Sequence, residues 1–237
     1  MEEALKYVTK ALKDIDPTDI GATLKELVNL FPGAVTFSSS FSYEDQVITH
    51  LIANNAREVS IFTLDTGRLF PETYSTWNST NERYDIKVKP YYPNHIAIEE
   101  FVQEKGPNSF YESLENRKSC CFIRKVEPLK RALAGNSVWI TGLRAEHSPE
   151  RENLAIFEWD DANKVVKYNP LLHWSTEEVI QYIRQHTIPY NILHDRGFIS
   201  IGCQPCTRAI KPGEDFRAGR WWWEDASKKE CGLHIKQ

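Results

Sequence analysis

Short apolar runs constrain this chain most. Three of them are followed at once by a hydroxyl- or glycine-containing turn, and most lead into a stretch of helical periodicity. Ala34–Phe37 runs into Ser38-Ser39-Ser40, and Val47, Ile48, Leu51 and Ile52 then share one helix face. Val59–Leu64 ends at Asp65-Thr66-Gly67-Arg68, ahead of Pro71, a residue suited to a helix first turn. Ile86–Val88 and Val138–Thr141 are two further strand candidates, the second leading into Gly142-Leu143-Arg144. A repeated strand–loop–helix order predicts an α/β fold: a mainly parallel twisted sheet with helices on both faces. Ligands of such sheets bind outside the carboxyl ends of the strands. The segments 38–40, 65–68 and 142–144 are therefore expected to converge on one crevice.

Ahead of the first strand, Leu5, Val8, Ala11 and Leu12, then Leu24, Leu27, Val28 and Phe31, recur at helical spacing and predict N-terminal helices within 1–32. From about Ser200 periodicity gives way to Gly, Pro, Cys and Trp. The expected organisation is one α/β domain over 1–225 and a flexible tail over 226–237. A chain of 237 residues suits one such domain. Its net charge of −4 provides no basic field for nucleic acid, so an anionic ligand must be held by local cations. No apolar run approaches the ~20 residues of a membrane span, and the acidic, amphipathic start MEEALKYVTKAL lacks a signal-peptide core. The expected setting is the cytoplasm, where thiols stay reduced.

Five cysteines split four and one: adjacent Cys120 and Cys121, the C-x-x-C pair Cys203 and Cys206, and Cys231 alone near the end. An odd count argues against a closed disulfide set. Adjacent cysteines diverge by ~100° on a helix, so both reach one centre only at a turn or helix start. With Ile123–Leu133 read as helix, the pair is expected at its N-terminus, where backbone N–H groups favour thiolates. Spacing leaves three readings open: a [4Fe–4S] cluster, a structural zinc site with four cysteine ligands, and buried free cysteines.

Ser38, Ser39 and Ser40, after a strand and before a helix, can cradle anionic oxygens with hydroxyls and helix-start N–H groups; the same pattern also fits a plain N-cap. Arg208, Lys211, Arg217 and Arg220 crowd the C-x-x-C loop in an otherwise acidic chain, and guanidinium forks suit phosphate and sulfate. The following Trp221-Trp222-Trp223 reads as core packing. Cys231 has Lys228, Lys229 and His234 nearby, cations that raise thiolate content.

Taken together, Lys118-Ser119-Cys120-Cys121 with Lys125, Gly202-Cys203-Gln204-Pro205-Cys206-Thr207-Arg208, Gly213-Glu214-Asp215 with Arg217-Ala218-Gly219-Arg220-Trp221-Trp222-Trp223, and Glu230-Cys231-Gly232-Leu233-His234 resemble the assimilatory sulfonucleotide reductases, nearest to the cluster-containing adenylyl-sulfate branch. Ser38–Ser42, Leu64–Arg68 and Thr141–Arg144 also look like that family, and the resemblance runs from about residue 34 to 234. It implies a PP-loop, adenine-nucleotide-hydrolase-like (Rossmann-like) fold, a [4Fe–4S] cluster on Cys120, Cys121, Cys203 and Cys206, and a homo-oligomer. Members specific for the 3′-phosphorylated nucleotide typically lack both cysteine pairs, so adenylyl sulfate is the implied substrate; reduction of the 3′-phosphorylated nucleotide, or of both, is the alternative.

The expected chemistry is attack by Cys231 on the sulfate sulfur, release of AMP, and resolution of the S-sulfocysteine to sulfite by a thioredoxin- or glutaredoxin-type thiol. Lys125, Arg144, Arg217 and Arg220, with Arg208 behind them, are the cations expected to hold the substrate. Two rivals fit less well. A PP-loop ATP pyrophosphatase needs an S-G-G-x-D-S type loop where this chain reads SSSFSYED, and a zinc-stapled nucleotide-binding module leaves Cys231 and the arginines unused.

Overall fold

The computed structural model describes residues 2–16, 18–147 and 154–225. Six strands form one sheet in the order β3-β2-β1-β4-β6-β5: β1 Val35–Ser38, β2 Ser60–Leu64, β3 Lys89–Tyr91, β4 Val138–Ile140, β5 Phe157–Asp160 and β6 Val165–Tyr168. All neighbouring pairs are parallel except the β5–β6 hairpin. The helices are α1 Glu2–Ala11, α2 Ile20–Leu30, α3 Tyr43–Asn55, α4 Pro71–Tyr84, α5 His95–Lys105, α6 Leu114–Cys121, α7 Glu127–Leu133 and α8 Thr176–Gln185.

Alternation along the strands places two cores, one on each face. Val35, Phe37, Ile61, Val138, Ile140, Val166 and Tyr168 pack with Leu24, Leu27, Ile48, Ile52, Val179 and Ile183 of α2, α3 and α8. Phe62, Trp139 and Val165 face the other way, onto Leu129, Ala132 and Leu133 of α7. Helices on both faces of a mostly parallel sheet are what the strand–loop–helix pattern predicted.

Two expectations shift. The third strand lies at Lys89–Tyr91 and not at Ile86–Val88. α4 ends at left-handed Asp85 (φ 49°), buried Val88 fills the core as connector, and the ladder opens at the Phe62↔Lys89 pairing. A short apolar run fixes a burial position but not where ladder bonding begins. The β5–β6 hairpin had no apolar signature because β6 carries Lys167. That side chain is only 7% exposed, with its ammonium 3.4 Å from Glu158 and 3.2 Å from Asp160 on β5. A buried lysine needs such partners, and they exist only once the hairpin has formed.

Candidate active site

The carboxyl ends of β1 and β4 open onto a cleft with about 1360 Å³ of empty space, its mouth included. Ser38, Ser39, Ser40 and Ser42 line it from β1; Thr141, Gly142 and Leu143 line it from β4. Leu64, Leu129 and Trp139 supply an apolar wall, and Lys125, Arg217 and Arg220 supply cations. This mixture of apolar wall and a few placed charges suits a nucleotide-sized anion.

The serine loop owes its shape to Phe41, which takes a left-handed backbone (φ 61°) while fully buried and stacked on Trp77 at 5.6 Å. A non-glycine residue holds that conformation only when packing over-determines it. Trp139 Nε1 donates to Ser38 Oγ (2.9 Å), fixing the first hydroxyl. The Ser40 N–H (2.5 Å) and hydroxyl (2.7 Å) both donate to Asp45 Oδ2. Ser40 thus lines the cleft with its donors turned to a carboxylate of α3, a partner the residue order does not disclose. A Cβ on Gly142 would lie 2.3 Å from Asp45 Oδ1. Gly142→Ala is therefore expected to cost about 1–3 kcal/mol by overpacking and to weaken nucleotide binding, measured by thermal melts and AMP titration.

Burial raises the Asp45 carboxyl to about 7, against the lowering pull of its Ser40 hydrogen bonds. The folded protein keeps a proton that the unfolded chain has released above the ordinary value of 3.8. This contribution to stability is complete below that value and is lost as pH rises through about 7. Asp45→Asn is expected to remove that component, so wild type should lose melting temperature relative to the variant between about pH 4 and 7. Parallel pH profiles would exclude it.

Arg144 corrects an expectation. It does not line the cleft. Its guanidinium is buried, with Nε on Glu44 (2.9 Å), Nη1 on Glu146 (2.5 Å) and the Trp174 carbonyl (3.0 Å), and Nη2 on Thr176 (2.9 Å). Since Glu44 does line the cleft, Arg144 acts beneath it, balancing that acid. Arg208 is likewise taken up, by both oxygens of Glu214 (2.8 and 3.1 Å).

The second loop, 65–68, turns away from the cleft toward a separate pocket. Arg68, Phe110, Arg117, Cys120, Cys121, Arg124, Lys125, Cys203, Pro205 and Cys206 surround about 320 Å³ of empty space. The Thr66 hydroxyl lies 3.2 Å from the Cys203 sulfur, Gln204 N–H donates to the Arg68 carbonyl, and Arg124 Nη1 donates to the Thr66 carbonyl. The three loops therefore serve two adjoining pockets. Lys125 lines both, and Arg217 and Arg220 close the cleft from the segment after Cys206.

The cysteine pair does not start a helix. α6 begins at Leu114, capped by Ser113 Oγ accepting from Asn116 N–H (3.1 Å), and ends at Cys121. A π-helical turn over Phe122–Val126 leads into α7. The pair thus gains nothing from helix N-terminal N–H groups; the π turn, a common device at functional sites, is what brings both sulfurs and Lys125 to one pocket. Burial lifts the Cys206 thiol to about 12, while Arg220 and Lys125 pull it down; burial raises Cys120 likewise, opposed by Arg124.

The four thiols share a pocket walled by Arg68, Arg117, Arg124 and Lys125. Four thiols facing one space, with cations to offset an anionic centre, fit the donor set of an iron–sulfur cluster. Among the described residues no three Cys, His, Asp or Glu stand close enough to hold a single metal ion. Cys231 lies outside the described residues, as does the rest of the segment 226–237. No helix among the described residues is long and apolar enough to cross a membrane.

A nucleotide-sized, cation-rimmed cleft thus opens at the strand ends of a mainly parallel α/β sheet and abuts a four-cysteine pocket. The phosphoadenosine phosphosulfate reductase domain model matches residues 34–209, and the chain belongs to that family. Among curated proteins it is 51% identical to adenosine 5′-phosphosulfate reductase of Burkholderia cepacia, covering 85% of this chain and 80% of that one. It is 46% identical to adenosine 5′-phosphosulfate reductase of Sinorhizobium fredii, covering 99% and 94%. Among solved structures it is similar to phosphoadenylyl-sulfate reductase from Candida auris, with TM-score 0.70 and 28% identity over 89% of this chain and 98% of that one. The fold alone is shared with an FMN adenylyltransferase of Candida glabrata, with TM-score 0.54 and 16% identity over 98% and 80%.

Proposed function

We propose that this chain reduces adenylyl sulfate to sulfite and AMP, as a step of sulfate assimilation leading to cysteine. The observation that carries the reading is the shared wall between the two pockets: Lys125 borders both the cleft and the four cysteines, with Arg217 and Arg220 closing the cleft beside it. Relatives named for reduction of adenosine 5′-phosphosulfate support the choice of nucleotide.

In this reading the apolar wall of Leu64, Leu129 and Trp139 takes the nucleotide's base, and the serine loop with Lys125, Arg217 and Arg220 takes its charged end. The Cys231 thiolate attacks the sulfate sulfur, the sulfur–oxygen bond of the mixed anhydride breaks, and AMP leaves with that electron pair. The S-sulfocysteine is then attacked at the Cys231 sulfur by one thiol of a thioredoxin- or glutaredoxin-type partner. Sulfite departs, and the partner's second thiol closes its disulfide and frees Cys231. Both electrons come from the partner's dithiol. Nucleophile and substrate are both anionic, so fixed cations are what make the approach feasible.

A [4Fe–4S] cluster, for which Cys120, Cys121, Cys203 and Cys206 are the candidate ligands, would supply a fixed charged centre next to the cleft. The reading includes a cytoplasmic setting and a homo-oligomer, the latter checked by light scattering. The deciding experiment incubates the iron-loaded enzyme with adenylyl sulfate or its 3′-phosphorylated form and follows sulfite release with thioredoxin. A sulfonate mass on the Cys231 peptide and faster turnover of adenylyl sulfate are expected. Faster turnover of the 3′-phosphorylated nucleotide would favour the alternative substrate, and no sulfonate mass would exclude the intermediate.

A further inference from the structure

Helix α6 carries, besides Cys120 and Cys121, an arginine that walls the cysteine pocket and also reaches beyond it. Arg117 lies three and four residues ahead of the pair, on the same side of the helix. Its side chain is 2% exposed, and its guanidinium forks onto Glu224: Nε to Oε1 at 3.0 Å and Nη2 to Oε2 at 2.8 Å, with the Glu224 side chain 8% exposed. The same guanidinium lies 4.6 Å from the Trp221 ring and hydrogen-bonds the Cys121 sulfur. Trp221 is fully buried in a left-handed backbone (φ 41°), its N–H donates to the Cys206 carbonyl (3.2 Å), and its carbonyl accepts from Glu224 N–H (2.9 Å). The stretch Trp221–Glu224 is thus pinned to both cysteine pairs at once.

Glu224 is also where the chain leaves for Cys231, seven residues on. Seven residues span at most about 23–25 Å, so the point where this stretch is fixed bounds how far from it the Cys231 sulfur can lie. We propose that the Arg117–Glu224 ion pair is a latch that fixes the root of the Cys231-bearing segment to the cysteine helix. Both are positioning residues: neither lines the cleft, and they act through where the segment leading to Cys231 starts. The latch also ties that start to the cysteine pocket, since the helix holding Arg117 holds two of the four sulfurs. A bidentate, dry pair suits this task, because removing one partner leaves the other buried and unpaired. The inference rests on the proposed role of Cys231 as nucleophile.

The test is Glu224→Gln in the iron-loaded enzyme, with Glu224→Asp, which keeps the charge at shorter reach, carrying the same comparison should the first variant not fold. Three readouts are taken beside wild type: visible iron–sulfur absorbance with AMP affinity, tryptic cleavage after buried Arg220, and the single-turnover rate of sulfonate appearance on Cys231. The latch predicts unchanged absorbance and AMP affinity, faster cleavage after Arg220, and sulfonate formation slowed about tenfold or more, the scale of a reacting group displaced by about an ångström. Cleavage at the wild-type rate overturns the latch whatever the activity. Faster cleavage with an unchanged sulfonation rate overturns its positioning role, and loss of absorbance reassigns the pair to building the cysteine pocket. Absence of sulfonate in wild type would count against the proposed reaction instead, and the cleavage comparison would still decide whether the latch exists.

Discussion

Cys231→Ser is expected to abolish sulfite production, by ~10³-fold or more, while AMP and adenylyl sulfate still bind. Among the described residues, the serine loop, the apolar wall and the three cations of the cleft come from residues 38–220. Affinity should therefore survive the loss of the nucleophile. A serine hydroxyl cannot replace the thiolate, because it is far less ionised and far less nucleophilic toward sulfur. Wild type exposed to substrate without reductant should accumulate one sulfonate per chain, and the variant none. Sulfite release by the variant at the wild-type rate would remove Cys231 from the mechanism, leaving the cleft as a nucleotide site whose nucleophile lies elsewhere.

Cys203→Ser should have the second largest effect, by a different route. Cys203 is buried with its sulfur 3.2 Å from the Thr66 hydroxyl, on a loop stapled to the end of β2 through the Gln204–Arg68 backbone bond. A serine there keeps a hydrogen-bonding group of similar size, so the loop is expected to close as before. What is lost is one of four thiols, and with it the donor set for iron. Purified anaerobically, the variant should show little iron and none of the visible absorbance of wild type, with a lower melting temperature, because metal binding stabilises the folded state it selects. On the proposed cluster assignment, loss of the cluster would also leave Arg68, Arg124 and Lys125 in one wall without an offsetting charge, so nucleotide turnover should fall as well. Zinc in place of iron in the wild-type protein would overturn the cluster assignment.

Much of this architecture was legible from residue order. The β1, β2 and β4 runs and the N-terminal helices follow from apolar spacing, and the serine loop sits where a strand end must put it. The pairing of the cysteines and the place of Lys125 beside them were legible as well, although spacing left their role open. Lys125 four residues after Cys121 places both on one side of a helix whether or not that helix contains a π turn. Other parts were hidden. Arg144 reads from sequence as an anion ligand, yet its donors are spent on Glu44, Glu146, the Trp174 carbonyl and Thr176. Nothing in residue order singled out Arg117 or Asp45, the latter an acid in the first turn of α3. Arg144 and Arg117 owe their roles to carboxylates 100 and 107 residues away, and Asp45 owes its own to a serine whose loop the buried Phe41 shapes.

Sequence alone determined the class of fold, the strand ends at which the cleft opens and which cysteines stand in pairs. Periodicity, strand-end position and the scarcity of cysteine are properties of the chain read in one dimension. Tertiary structure alone decided which charges face the ligand and which face each other. That choice turns on burial and on the nearest opposite charge in space, and a guanidinium taken out of water is held by whichever carboxylate the fold brings within about 3 Å.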